Sequence, residues 1–404
     1  MPRRRYDTGR PAVVRAQSGN RSVIHWEVNV ARGQKTLRVA FDAAPAHRDP
    51  TGVGVYVRDL ARALLARDPE SIALIGVRPD GPLAAEAARA SHRTYLEAGR
   101  HQRWLLTRAD RDAAAVGSDI VHFTNATAPI LPGRPFVLTV QDLSVLRYPH
   151  HHPAARLIGI PMTAIAAHRA AVVIVPSEAT RRELRHLLLI SNRRIVVIPH
   201  APSSDITEPS ETQISDVVGR YLGDSSARYV VSVGTREPRK NQRRLIAAFE
   251  QLAARDETLR LVLIGGVGWR VGAFERALRL SPFSDRIVLT GYVPASDLAP
   301  LIAGAAAFAY VSLYEGYGLP IVEALRLGVP VVTSAISSMP ETAAGQAHLV
   351  DPRDSASIAA GLSRAMAAGS PRRPSEPWRN WADVADATAD VYRWAHGRAE
   401  RGAV

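Results

Sequence analysis

Residues 312–323 read Ser-Leu-Tyr-Glu-Gly-Tyr-Gly-Leu-Pro-Ile-Val-Glu, directly after the apolar run Ala-Phe-Ala-Tyr-Val at 307–311. The run predicts a buried strand. Gly316 and Gly318 then permit a tight loop whose backbone can approach a ligand closely. Pro320 suits the first turn of a helix, and Gly328 followed by Pro330 ends it. A strand feeding a helix through such a loop presents N–H groups at a helix N-terminus, a setting suited to phosphate. Glu315 lies in the loop and Glu323 inside the helix. Both can point into one cleft, where carboxylates accept hydrogen bonds from sugar or ribose hydroxyls. The plainer reading, a glycine-rich turn with two solvated glutamates, is disfavoured because several independent features agree.

A second turn of the same kind precedes it. Residues 233–242 read Val-Gly-Thr-Arg-Glu-Pro-Arg-Lys-Asn-Gln, between a strand expected at 229–233 and a helix expected at 242–255, with Asn241 as its N-cap. Arg236, Arg239 and Lys240 put three cations within five residues at a helix start, a good place for a diphosphate. Of 51 Lys plus Arg residues only two are lysines, Lys35 and Lys240. A chain so committed to arginine keeps a compact ammonium here, which suits a point charge on an anion.

The alternation of short apolar strands and helical stretches extends through the chain and predicts two mainly parallel sheets. In the first half, strands are expected at 37–41, 72–77, 119–123, 136–140, 172–175 and 195–198. A glycine loop at 49–54 is expected to lead into a helix at 55–66. Residues 201–225 read as a linker holding a short helix near 214–221. The second half predicts strands at 229–233, 261–264, 287–289, 307–311, 329–333 and 348–350, with helices at 242–255, 297–303, 320–327 and 355–367. The expected division is a basic tail at 1–36, an acceptor-side domain at 37–200, the linker, a nucleotide-sugar domain at 226–370, and a C-terminal helical segment at 371–404 that packs back on the first domain. Ligands in such sheets bind beyond the carboxyl ends of the strands.

Composition narrows the function. At 404 residues the chain is long enough for two domains, and the absence of cysteine rules out disulfides and thiolate metal sites. The net charge of +13 invites a nucleic-acid reading. Its distribution argues otherwise: residues 1–38 hold nine Arg/Lys against two Asp/Glu, a net +7, leaving +6 for the other 366. A disordered basic tail keeps a protein soluble or touches anionic lipid at the membrane surface, and the former is the plainer reading. No membrane span or signal peptide is legible, so a cytoplasmic enzyme, at most peripheral at the inner face of the membrane, is expected.

On these motifs the sequence resembles the retaining glycosyltransferases of family GT4, also called group 1, over about residues 37–370. Glu315 and Glu323 match the family's E-x7-E pair, and 233–241 matches its phosphate loop. Residues 328–333, 337–341 and 349–352 match its closing segments, and Thr51-Gly52-Val53-Gly54 its first-domain glycine loop. The resemblance implies the GT-B fold, two Rossmann-like domains facing a central cleft. It implies a nucleotide-diphosphate sugar donor, here a hexose with GDP-mannose as the first guess, and a glycan, lipid-linked or small-molecule acceptor, with no cofactor and no metal. Lys240 would neutralise the leaving diphosphate, Glu315 would position the sugar, and Glu323 would hold the ribose. Thr235, Arg236 and Arg239, with the backbone of Gly316, Tyr317, Gly318 and Leu319, would line the donor site, and Gly52 and Gly54 would face the diphosphate. Two positions depart from the family. Thr235 stands where many members carry Arg, so Arg236 or Arg239 would supply that charge. Gln141, before Asp142, stands where members often carry His near the reacting sugar, and Gln cannot carry a proton.

Weaker signals remain. Asp110-Arg111-Asp112 matches a metal-binding D-x-D but sits in an expected helix at 105–116, and reads as solvated charge. His150, His151 and His152 lack helical ligand spacing and read as a polar loop. Gly265-Gly266-Val267-Gly268 follows a strand and weakly supports the nucleotide-binding half. The rival functions are a nucleotide-sugar epimerase or phosphorylase on the same fold, and a non-catalytic sugar-binding subunit.

Overall fold

The computed structural model describes residues 37–46, 51–90, 93–95, 101–157, 159–369 and 379–402. The expectations for the tail at 1–36, for Asp49 and Pro50, and for 370–377 lie outside the described residues.

The strands form two wholly parallel sheets. The first holds β1 (Val39–Asp42), β2 (Ile72–Val77), β3 (Arg93–Tyr95), β4 (Ile120–Phe123), β5 (Phe136–Thr139), β6 (Val172–Val175) and β7 (Ile195–Val197), in the order β3-β2-β1-β4-β5-β6-β7. The second holds β8 (Tyr229–Val233), β9 (Arg260–Ile264), β10 (Ile287–Gly291), β11 (Ala307–Tyr310), β12 (Val331–Ser334) and β13 (His348–Val350), in the order β10-β9-β8-β11-β12-β13. In both sheets the order reverses beside the first strand, as in doubly wound folds. Central strands such as Val-Val-Ile-Val at β6 are buried throughout, which is why they read as unbroken apolar runs rather than alternating ones. Each sheet has apolar clusters on both faces, so helices cover both sides.

Local chemistry fixes the helix ends. The helix expected near 214–221 is longer, Glu211–Leu222, because Ser210 and Gln213 form a reciprocal capping box and Gly223 closes it at φ +73°. Its Val217, Val218 and Leu222 join the core of the second sheet. The chain crossing from first sheet to second is pinned from the other side: Arg58 reaches Ser203 and Asp205, and Asp59 accepts from Ser204 N at 3.0 Å.

The C-terminal helix, Trp381–Glu400, packs along the helix Gly52–Arg67 and buries Val384, Val391 and Tyr392 in the core of the first sheet. Its anchor is polar. Tyr392 Oη meets His122 Nδ1 at 2.7 Å, His122 Nε2 meets Thr139 Oγ1 at 2.7 Å, and Tyr56 Oη meets Thr139 Oγ1 at 2.9 Å. Burial holds His122 near pKa 3, so the ring is neutral, and one nitrogen donates while the other accepts. Trp381 Nε1 donates to Pro202 O at 2.8 Å, clipping this helix to the crossing segment.

Two expectations in the first half need correction. Gly52 and Gly54 belong to the first turn of the helix Gly52–Arg67, because Thr51 caps it by accepting from Gly54 N; they are not loop residues. Asp112 is not solvated: it is buried and accepts from Trp104 Nε1 at 2.8 Å and Thr94 Oγ1 at 3.1 Å, in a helix that starts afresh at Ala109. Asp110 accepts from Gly133 N. His152, in the expected polar loop, is buried at 2% exposure. Among the described residues no helix is long and apolar enough to cross a membrane, and no group of His, Asp and Glu could hold a metal ion.

Candidate active site at the seam of the two sheets

The loop between β11 and the helix Leu319–Arg326 is held rigid by hydroxyls. Ser337 Oγ and Ser338 Oγ donate to Glu315 O at 2.6 and 2.9 Å, and Thr342 Oγ1 donates to Tyr317 O at 2.6 Å. Gly318, at φ +103°, turns the chain into the helix. The carbonyls of Glu315 and Tyr317 are thus satisfied from behind. The N–H groups of Gly316, Tyr317, Gly318 and Leu319 have no acceptor among the described residues, leaving donors at a helix N-terminus for an anion.

The second turn lies against this loop. Lys240 Nζ is 2.7 Å from Glu315 Oε1 and 2.7 Å from Tyr310 Oη. Arg239 donates to Glu315 Oε2 and Glu237 Oε1, both at 2.7 Å, and to Tyr314 O at 2.9 Å. Gly234 lets the Lys240 stem pass: a Cβ there would sit 3.3 Å from Lys240 Cδ and Cε. Asn241 does not cap its helix as expected. At φ +60° its amide instead donates to Val311 O and Pro352 O, at 2.9 and 2.7 Å, tying the turn to the ends of β11 and β13. Arg236 bridges to Val267 in the loop after β9, where Arg236 N donates to Gly266 O at 2.9 Å, and Thr235 precedes that bridge.

The two glutamates occupy opposite electrostatic environments. Burial alone would raise Glu315, but Arg239 and Lys240 more than offset it and hold the carboxyl at about 2. Glu323, buried one helical turn along, has among the described residues only the distant Ser203 N at 3.4 Å, and burial pushes it up to about 7. Burial lowers Lys240, with Glu315 opposing.

First-sheet residues close over the loop. A Cβ on Gly316 would lie 1.8 Å from Gln141 O and 2.8 Å from Asp142 Cβ. Ser177 Oγ and Thr180 Oγ1 donate to Gly316 O at 2.7 and 3.1 Å. Tyr314 Oη donates to Glu183 and accepts from Leu143 N at 3.1 Å, and Tyr317 Oη donates to His200 O at 2.9 Å. The Glu341 carboxylate accepts from Glu178 N and Ala179 N, capping a first-sheet helix from the second sheet. Trp269 docks between His152 and Arg156: its ring lies 5.8 Å from His152, the Arg156 guanidinium lies 4.2 Å above it, and Nε1 donates to His151 O.

Buried polar side-chain atoms without a partner gather at this seam. Among the described residues they include Gln141 Nε2, His151 Nδ1, both ring nitrogens of His152, His200 Nδ1, Glu237 Oε2 and Arg239 Nε. A lone unsatisfied buried group is costly, and a polar ligand or water at the seam would satisfy these.

Of the residues singled out from sequence, Glu315, Lys240 and Arg239 form one ion-paired cluster, and Gln141 and Asp142 meet Gly316 across the seam. Gly316, Tyr317, Gly318 and Leu319 carry the loop's N–H groups that have no acceptor among the described residues. Glu323 sits beside the crossing segment, while Gly52 and Gly54 open a helix and contact none of the cluster by hydrogen bond. Sequence reasoning missed Tyr310, Tyr314, His200 and Trp269. The glycine string before Trp269 was the only local hint of that contact, and nothing in the sequence singled out the tyrosine hydroxyls.

Two family models match the chain: "Glycosyltransferase Family 4" over residues 50–201 and "Glycosyl transferases group 1" over 220–377. O-antigen chain mannosyltransferase B of Escherichia coli is 30% identical over 347 residues, covering 82% of this chain and 91% of that protein. The MMP alpha-(1->4)-mannosyltransferase of Mycolicibacterium hassiacum is 26% identical, covering 59% of this chain and 58% of that protein. In structure, HepE of Anabaena, solved with UDP and glucose, aligns with a TM-score of 0.67 at 18% identity, covering 88% of this chain and 99% of that one.

Proposed function

The chain belongs to the family 4, or group 1, glycosyltransferases of GT-B fold, and we propose that it transfers mannose from GDP-mannose to a glycan or lipid-linked acceptor, with retention of anomeric configuration and without a metal. Two similar proteins named as mannosyltransferases support the sugar. The observation that carries the chemistry is the Glu315 carboxylate held between Lys240 and Arg239 beside the N–H groups of the glycine loop. Before the donor binds, Glu315 is the counter-ion of the cation pair. An arriving diphosphate supplies its own negative charge to Lys240, Arg236 and the loop N–H groups. Glu315 then turns to accept hydrogen bonds from the sugar, and Glu323 accepts from the ribose. The first sheet contributes the acceptor side through Gln141 and Asp142, with the Gln141 amide at the boundary where the acceptor meets the donor sugar.

As the glycosidic bond breaks, negative charge grows on the leaving phosphate oxygen, where Lys240 and the loop amides hold it. Gln141 cannot take a proton, so the departing oxygen accepts it from the incoming hydroxyl, and attack occurs on the leaving-group face. The test incubates the protein with GDP-mannose, UDP-glucose or a TDP-hexose and a mannose-terminated oligosaccharide. Proton NMR of the first-formed product then reads its anomeric centre. Turnover with GDP-mannose giving an α-linked product is expected. An inverted centre would refute the mechanism, binding without turnover would leave a sugar-binding subunit, and turnover only with another donor would refute the mannose assignment.

A further inference from the structure

The end of β7 brings His200 to the side chain that replaces the family's usual histidine. His200 Nε2 lies 2.7 Å from Gln141 Oε1. An amide oxygen only accepts, so the ring must donate through Nε2. The imidazole is enclosed by Tyr56, Tyr317 and Trp381, with ring centroids 4.5, 5.2 and 6.3 Å away. Burial holds it neutral, near pKa 3, so Nδ1 carries no proton. The bond also decides which end of the Gln141 amide is free. Its oxygen is occupied, while its NH₂ group is buried and has no acceptor among the described residues. Its own backbone carbonyl presses on Gly316, in the loop that carries Glu315.

We propose that His200 is a positioning residue: it clamps the Gln141 carboxamide by its oxygen, so that the amide N–H groups are presented to an oxygen of the donor sugar or its phosphate. The residue that stands where relatives often carry a histidine thus works as a fixed hydrogen-bond donor, with a histidine behind it. Tyr317 belongs to the same assembly, since its hydroxyl donates to the carbonyl of His200 and its backbone is in the glycine loop. Closure of the loop and orientation of the amide are therefore coupled. Tyr56 continues the contact to Thr139 and, through His122, to the C-terminal helix.

This inference rests on the sugar-transfer reading, and the experiment separates the two. Full-length protein labelled with ¹⁵N at histidine is observed without ligand between pH 6 and 8. The expected spectrum has His200 neutral and protonated at Nε2 throughout, with Gln141→Ala altering its ¹⁵N shifts. A His200 protonated at Nδ1, or one indifferent to Gln141→Ala, would overturn the proposal whatever the donor is. With GDP-mannose as donor, His200→Ala and Gln141→Ala are each expected to lower kcat/KM about tenfold, as for one lost hydrogen bond, and the double variant no further. His200→Gln, which keeps a donor at the same reach, is expected to restore most of the rate. Losses that multiply in the double variant, or no rescue by His200→Gln, would also overturn it. A wild-type protein that ignores GDP-mannose refutes the mannose reading, and the spectrum alone then decides the pair.

Discussion

Gly316 and Gln141 approach so closely that the site has no room for a methyl group: a Cβ on Gly316 would stand 1.8 Å from the carbonyl oxygen of Gln141. The closest atom is a backbone carbonyl oxygen, so no rotamer change relieves the clash. The glycine is required by the seam between the sheets, not by a turn. Gly316→Ala is therefore expected to hold the sheets apart while each keeps its own core. A cost of about 1–3 kcal/mol is typical for overpacking. Kinetics should show kcat/KM down at least about tenfold, with a raised radius of gyration in small-angle scattering. Wild-type values of both would show that the seam is not closed in the working enzyme.

Lys240→Ala should impair turnover and nucleotide binding together. Glu315 keeps Arg239 as a partner, so the fold should survive. Removing one preorganised charge from the transition state is expected to cost about 2–4 kcal/mol, about thirty- to thousandfold in kcat/KM. Calorimetry with GDP should show weaker binding. Unchanged kinetics in a folded variant would remove Lys240 from the donor site.

Glu323 should make stability fall as pH rises. Its folded pKa of about 7 lies above the ordinary glutamate value, so the folded state holds the proton more tightly than the unfolded chain does. Between about pH 4.5 and 7 that preference is lost with rising pH, a penalty of roughly 3 kcal/mol when fully developed. Glu323→Gln should therefore melt above wild type at pH 8, with the gap closing toward pH 4.5. A gap independent of pH would contradict this. If the carboxylate accepts from the ribose, GDP affinity should also rise from pH 5.5 to 8, because binding favours the ionised form.

Transfer should not need a divalent ion. In the proposed mechanism Lys240, Arg236 and the loop N–H groups would stabilise the leaving phosphate, the task a metal performs in other transferases. EDTA-treated protein is expected to keep its rate, and added Mn²⁺ to change it less than twofold. Activity abolished by EDTA and restored by Mn²⁺ would overturn the metal-free mechanism. Asp110 would not then be an obvious ligand, since it accepts from Gly133 N, and Asp112 is committed to Trp104 and Thr94.

Local chemistry was legible along the chain. Buried parallel strands read as apolar runs, so β2, β6 and β8 were placed within a residue of their observed bounds. The glycine loop before Leu319 and the cation-rich turn ending at Lys240 were also legible, because backbone conformation and charge density there depend on adjacent residues. These signals determined two doubly wound sheets and the Glu315 and Lys240 loops. They could not tell which buried polar group meets which. Asn241 has the residue type of an N-cap, but the carbonyls of Val311 and Pro352, 70 and 111 residues away, offer its amide better partners. Asp112 looked solvated until Trp104 and Thr94 enclosed it. Gln141 looked like a lost base until β7 delivered His200 beside it. Sheet order and the closing of the seam decided these pairings, because a desolvated polar group must find a partner wherever the fold brings one, and sequence distance has no part in that cost.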